Sequence, residues 1–265
     1  MPSNPTCAIV SPYQGTPLND VSRLSFERTA SVLSRHRWIL ALPEGTDLTP
    51  FKKIRHDIEA RFFPPRYFAS KRAAQHFYMH PDFYDAFSDF DFILIHQPDV
   101  YVFDDQLDYW IGFMSENKYD YIGAPWWDHE WLKFARNPIA RLPWHWMLNQ
   151  KVGSGGFSIR NPKRLSEIAK EHMTLIRYLA RFVPEDIWWC QIARLCGSPL
   201  HIPSPEDAAR FCVETQCARG IALGNGTSPF AVHGWNRHDW DFWRGRIPGV
   251  EAIYDDLAKN GVRPI

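Results

Sequence analysis

The sequence predicts an α/β fold in which a mixed, mostly parallel sheet is flanked by helices. Two patterns carry the prediction. Short apolar runs alternate with longer amphipathic stretches, as successive βα units require, and proline or glycine closes several of the runs. The chain has 265 residues, 45% of them hydrophobic, enough to bury a substantial core within a single domain.

CAIVSPY (residues 7–13) supplies the first strand, and residues 20–36 a helix with Val21, Leu24, Val32 and Leu33 on its apolar face. WILALPEG (38–45) forms the second strand, stopped by Pro43 and Gly45. Apolar spacing predicts a helix over 50–62, a short third strand at RYFAS (66–70), and a helix over 71–87 interrupted near Pro81. DFILIHQ (91–97) is the most strand-like run in the chain, and YDYIGAPWW (119–127) is the next, after a helix over 106–116. Residues from about 127 to 150 are rich in Trp and Pro without a clear period and read as an insertion outside the sheet. GGFSIRN (155–161) returns to the sheet, followed by a helix over 162–182 and another from Pro184, where Pro-Glu-Asp suits a helix N-terminus. Beyond Pro203, PFAVHGW (229–235) is the one clear strand.

Composition narrows the function. Thirty Lys+Arg balance thirty Asp+Glu, so the basic field of a non-specific nucleic-acid binder is missing and nucleic acid is not expected as a partner. Five cysteines, Cys7, Cys190, Cys196, Cys212 and Cys217, form no C-x-x-C pair, which resembles neither a disulfide framework nor a zinc ribbon and points to a reducing cytoplasm. No apolar run is long enough to span a membrane, leaving peripheral contact at the inner membrane face as the expected limit. Twelve Trp, ten Tyr and eighteen Phe make up 15% of the chain; such rings stack on sugars and bases, and serve equally as packing material.

Four places offer chemistry. Asp99 follows the strand 91–97, at the carboxyl end where open α/β sheets bind ligands; there it can hold a divalent cation that grips a diphosphate, or act as a turn acid for the segment after it. VGSGGFSIRN (152–161) places three glycines in four residues, which permits close approach to a ligand or a hairpin turn; it matches neither a Walker loop nor G-x-G-x-x-G. Glu185 and Asp186 are neighbouring acids at a helix start, either a base with a partner or a simple charge pair. His233 ends an apolar strand, as a metal ligand or a structural histidine.

In this order, Q-P-D (97–99), YDYIGAPW (119–126), GGFSIR (155–160), ED (185–186) and FAVHGW (230–235) resemble the nucleotide-sugar glycosyltransferases of the GT-A fold, a Rossmann-like architecture, and in particular a bacterial and fungal family of them. DAARFCVE (207–214) is similar to a further segment of that family, and the resemblance covers roughly residues 35–235. It implies a logic shared with β-galactosyltransferases, in which an Asp-x-Asp motif and a later His bind manganese and a Gly-Gly-Glu-Asp block offers the base, although Val183 and Pro184 stand here in place of that Gly-Gly. On that resemblance Asp99 and His233 are the ligands of a Mn or Mg ion, Asp186 is the base and Glu185 binds acceptor. Gly155 and Gly156 then line the cleft, and Ser11, Pro12 and Tyr13 face the base and ribose of a donor taken to be UDP-linked. Gln97, beside the donor, departs from the motif because it stands where Asp-x-Asp has its first acid, and Ser154 stands where the family often has Asn.

The implied reaction transfers a sugar to a hydroxyl of a glycan or lipid-linked glycan, with inversion, in surface polysaccharide synthesis. Trp126, Trp127, Trp131, Trp144 and Trp146, with Lys133, Arg136 and Arg141 among them, suit an acceptor loop, an anionic membrane surface, or a satellite hydrophobic cluster. Two rival readings remain: a non-catalytic nucleotide- or glycan-binding module, favoured by Gln97, and a metal-dependent phosphohydrolase, for which the chain lacks a dense His/Asp cluster.

Overall fold

The computed structural model describes residues 5–14, 17–127 and 152–263. The main sheet is built from β1 (Cys7–Pro12), β2 (Trp38–Pro43), β3 (Glu59–Phe63), β4 (Phe92–His96), β6 (Tyr121–Ile122) and β7 (Phe157–Arg160), with β5 (Val100–Val102) in a second sheet. Their order across the sheet is β3-β2-β1-β4-β7-β6. The first four run parallel, and β7 pairs antiparallel with both β4 and β6. The expected mixed, mostly parallel sheet is therefore present.

Helices cover both faces, which explains why β1, β2 and β4 read as nearly continuous apolar runs. Side chains alternate across the sheet: Ala8, Val10, Ile39, Ala41, Ile93 and Ile95 pack into one layer, and Ile9, Leu40, Leu42 and Leu94 into the other. The helix Asp20–Val32 starts where Asn19 accepts a hydrogen bond from the Ser22 amide at 2.8 Å, satisfying one of the unpaired amides of the first turn.

Three elements differ from the sequence expectation. The helix predicted over 50–62 ends at Ile54, and residues 59–63 form β3, registered on β2 from Ile39–Glu59 to Pro43–Phe63. As a half-exposed edge strand, β3 buries only Phe63 fully, so it carries no apolar run to announce it. RYFAS is not a strand: Pro65–Tyr67 is a 3₁₀ turn, and Tyr67 and Phe68 are buried against Phe77 by packing rather than pairing. The helix over 162–182 is two, Pro162–Glu171 and Met173–Leu179, broken at His172.

A second, smaller sheet sits beside the first. Its strands are β5, β8 (Cys212–Val213) and β9 (Ala231–His233), in the order β5-β9-β8. Under it, Trp235, Trp240, Trp243 and Tyr254 form an aromatic core of their own. All five cysteines are free thiols, and among the described residues no helix is long and apolar enough to cross a membrane.

Candidate active site

A cavity of about 620 Å³ opens at the carboxyl ends of β1 and β4. The chain steps outward from β1 to β3 and then lays β4 on the other side of β1, so the cavity lies at the reversal of strand order. Pro12 and Tyr13 line it from β1, Gln97 and Asp99 from β4, and Gly155 and Gly156 from the approach to β7. Glu185, Asp186, Glu214, His233 and Arg237 complete its polar wall.

Of the residues expected at the donor, Ser11 does not reach this cavity. It shares the strand face of Ile9 and is fully buried, where its Oγ accepts from Trp38 Nε1 at 2.8 Å and lies 3.1 Å from His96 Nδ1. Thr29 Oγ1 is 2.7 Å from the other ring nitrogen, and burial lowers His96 to about 3, so the ring is neutral. Ser11 is thus part of an internal polar chain that ties β1 to β2, β4 and a helix.

The small sheet assembles the charged cluster by register. Val100 pairs with His233 and Val213 with Val232, so Asp99, just before β5, and Glu214, just after β8, flank the histidine that ends β9. His233 Nε2 is 3.3 Å from Asp99 Oδ1, and Nδ1 is 3.0 Å from Glu214 Oε1, an ion-pair distance without hydrogen-bond alignment. The Ser154 hydroxyl donates to the other Glu214 oxygen. Gly234 then turns the chain with φ +67°, a left-handed value that favours glycine, and brings Arg237 back over the cluster. Arg237 Nη2 donates to Asp99 Oδ2 at 2.6 Å and lies 3.4 Å from His233 Nε2.

Charge sets protonation here. Burial opposes a charged His233, but the carboxylates of Glu214 and Asp99 outweigh it and raise the ring to about 10. Burial would raise Asp99 and Glu214, yet both are held below the usual carboxylate range, chiefly by His233 and with help from Arg237. Two carboxylates thus face an imidazolium and a guanidinium.

The glycine cluster is explained by space. None of Gly153, Gly155 and Gly156 adopts a positive φ, so a turn requirement is not what selects them. A Cβ on Gly156 would stand 2.1 Å from His233 Nε2, one on Gly155 2.1 Å from Glu185 Oε1, and one on Gly153 2.3 Å from the Trp126 ring.

Glu185 is engaged from inside the protein. Arg160, on β7 and 1% exposed, donates to both its oxygens at 3.0 and 3.1 Å. The remaining guanidinium bonds go to Tyr84 Oη, Gly155 O and Ser158 Oγ, so every N–H of this buried cation has an acceptor. The expected acceptor-binding role of Glu185 meets this competing use of both oxygens. Asp186 makes no ion pair among the described residues, accepts from the Ile187 amide at 2.9 Å and lines the cavity. Burial, with the negative charges of Glu185 and Glu214, pushes its carboxyl up to about 8.

Asp99 and His233 were the metal ligands implied by the resemblance, and the structure does bring them together. Arg237 Nη2, however, occupies the ground between them, 2.6 Å from Asp99 Oδ2 and 3.4 Å from His233 Nε2. Glu214 lies on the opposite edge of the ring, and no group of three or more His, Cys, Asp or Glu side chains able to hold a metal gathers among the described residues. The residues in place do not fit a divalent cation.

Trp126 and Trp127 are buried rather than presented to a sugar. Trp127 donates from Nε1 to Thr215 O at 2.9 Å beneath Arg219. Trp131, Trp144, Trp146, Lys133, Arg136 and Arg141 lie outside the described residues. No role was assigned from sequence to Arg160, Glu214 or Arg237, although the first two close the blocks GGFSIR and DAARFCVE. A lone arginine within the strand GGFSIR was the available signal for the first, since a buried cation demands a partner. His-Gly-x-x-Arg after a strand was the signal for the last.

Three solved structures show where the architecture recurs. The mannosyltransferase Ktr4p from S. cerevisiae matches with a TM-score of 0.53 and 13% identity, over 77% of this chain and 67% of that one. Core-mannan synthase A from Aspergillus fumigatus, in a Mn/GDP form, matches at 0.50 and 12%, over 75% and 70%. The bifunctional glycosyltransferase WbbM matches at 0.54 and 11% over 98% of this chain, which spans about half of that one, 52%. At such identities the likeness is one of fold, and the fold is of the GT-A type. No curated protein matches the chain. Residues 57–233 match the family described as protein of unknown function (DUF5672), and the chain belongs to that family.

Proposed function

We propose that the protein is a glycosyltransferase that moves a sugar from a nucleotide-sugar donor to a hydroxyl of a glycan or lipid-linked glycan, with inversion, in surface polysaccharide synthesis. The observation that carries this reading is the cavity at the strand-order reversal. It gathers Asp186, a carboxylate without an ion pair among the described residues, with the Asp99–His233–Glu214–Arg237 cluster. The glycosyltransferases among the similar folds support it.

In the proposed reaction the acceptor oxygen bonds to the anomeric carbon as the bond from that carbon to the diphosphate breaks, its electron pair leaving with the diphosphate. The acceptor proton passes to Asp186. Cationic groups at the diphosphate offset the charge that develops there, which stabilises the transition state more than the ground state. Gln97, Pro12 and Tyr13 line the donor side. The buried Arg160–Glu185 pair fixes the start of the helical segment that carries Asp186.

The test offers UDP-, GDP-, CMP- and TDP-linked sugars and follows release of the nucleotide. One donor class, with UDP-linked sugars tried first, is expected to turn over. Asp186→Asn is expected to bind that donor while transfer falls by roughly 10²- to 10⁴-fold, the usual worth of a positioned base. Normal turnover in Asp186→Asn removes Asp186 from the reaction. Binding without turnover across the panel, in wild type as well, supports a non-catalytic binding module instead.

A further inference from the structure

A dication placed between Asp99 and His233 has to evict a guanidinium already there, at 2.6 and 3.4 Å from the two side chains. The same guanidinium has unspent capacity. Arg237 Nε is buried without an acceptor and the neighbouring Asn236 Oδ1 without a donor, although both residues line the cavity. A buried polar atom with no partner costs free energy unless something fills it, and a planar N–H fork fits the oxygens of a phosphate in pairs. Lys71 lines the same cavity as a second cation.

We propose that Arg237, held in place by Asp99, is the cation that receives the donor diphosphate, so that nucleotide binding requires no divalent metal. The inference rests on the glycosyltransferase reading and deepens it. Asp99 becomes a positioning residue: one oxygen holds Arg237 Nη2 and the other faces His233, leaving the rest of the fork for the ligand. The left-handed turn at Gly234 is the backbone device that returns Arg237 over the histidine, with the Arg237 amide donating to Gly234 O at 2.9 Å. Gln97, where the first acid of Asp-x-Asp would stand, fits a site whose cation is covalently part of the chain.

The test is calorimetric titration of the full chain with UDP and GDP, in EDTA and in Mn, for wild type, Arg237→Ala and Arg237→Lys. Wild type is expected to bind one nucleotide equally well in both buffers. Arg237→Ala is expected to weaken that binding by roughly 10- to 150-fold, the worth of a hydrogen bond to a charged group, with no rescue by Mn. Arg237→Lys is expected to recover part of the loss. Binding that needs Mn, or binding that survives Arg237→Ala, overturns the inference and leaves the donor site standing. Should Arg237→Ala fail to fold, the EDTA comparison on wild type and Arg237→Lys decide in the same way. No binding by wild type in either buffer overturns the glycosyltransferase reading as well.

Discussion

Truncating Glu185 to alanine tests the internal support of the site. Arg160 is 1% exposed and the Glu185 side chain 8%, so solvent does little to screen their attraction. The mutation removes two charge-assisted hydrogen bonds and strands a buried guanidinium, a change that costs about 3–5 kcal/mol. Total stability is about 5–15 kcal/mol, so the loss is a large share of it. At roughly 2–4 °C per kcal/mol for chains of about 150–250 residues, the melting temperature should fall by about 6–20 °C, read by circular dichroism. Glu185→Gln keeps the volume and an acceptor oxygen and should fall between. The pair Arg160→Met/Glu185→Leu removes both charges and should regain most of the loss, since a buried ion pair replaced by well-packed apolar side chains is often neutral or better. A Glu185→Ala protein melting within about 2 °C of wild type would mean that the Arg160–Glu185 pair does not hold the fold.

Further outcomes follow from the cluster. Gly156→Ala puts a methyl 2.1 Å from His233 Nε2 and should abolish nucleotide binding by displacing the histidine, while Gly197→Ala, which meets no atom within 4 Å but has φ +88°, should cost only stability. Transfer should rise with pH, up to tenfold per unit, until Asp186 ionises near 8, and a rate flat from pH 6 to 9 would contradict its role as base. Because folded Asp186 keeps its proton above the unfolded carboxylate range, it costs stability as pH rises toward about 8, so Asp186→Asn should gain on wild type in melting temperature from pH 5 to pH 8.5. His233 is raised instead: its stabilisation is full below 6.5 and fades as pH climbs through about 10. The destabilisation by His233→Gln should therefore be greater at pH 6 than at pH 10, as thermal melts at the two values would show.

The sequence made the buried parallel strands legible because β1, β2 and β4 are covered on both faces and had to be written as apolar runs. It hid β3, whose edge position leaves Glu59–Phe63 half in water, and it disguised Tyr67 and Phe68 as strand residues because packing and pairing select the same side chains. At the site, Asp99, His233 and Asp186 could be picked out by their places at strand and helix ends. Ser11 was misplaced by one step of the pleat, since its neighbours Pro12 and Tyr13 do line the cavity. Glu214 stood at the end of DAARFCVE but drew no role, because β8 has two residues, too short to show a period, and Arg237 was hidden because it reaches the cluster only through the turn at Gly234.

A nucleoside diphosphate is expected to occupy the cavity at the carboxyl ends of β1 and β4. Hydrogen exchange measured with and without UDP or GDP tests it most directly. The ligand is expected to slow exchange in the segments 97–100, 154–157 and 233–238 and to leave the far ends of the same strands unchanged. Protection elsewhere, or none with either nucleotide, would contradict it.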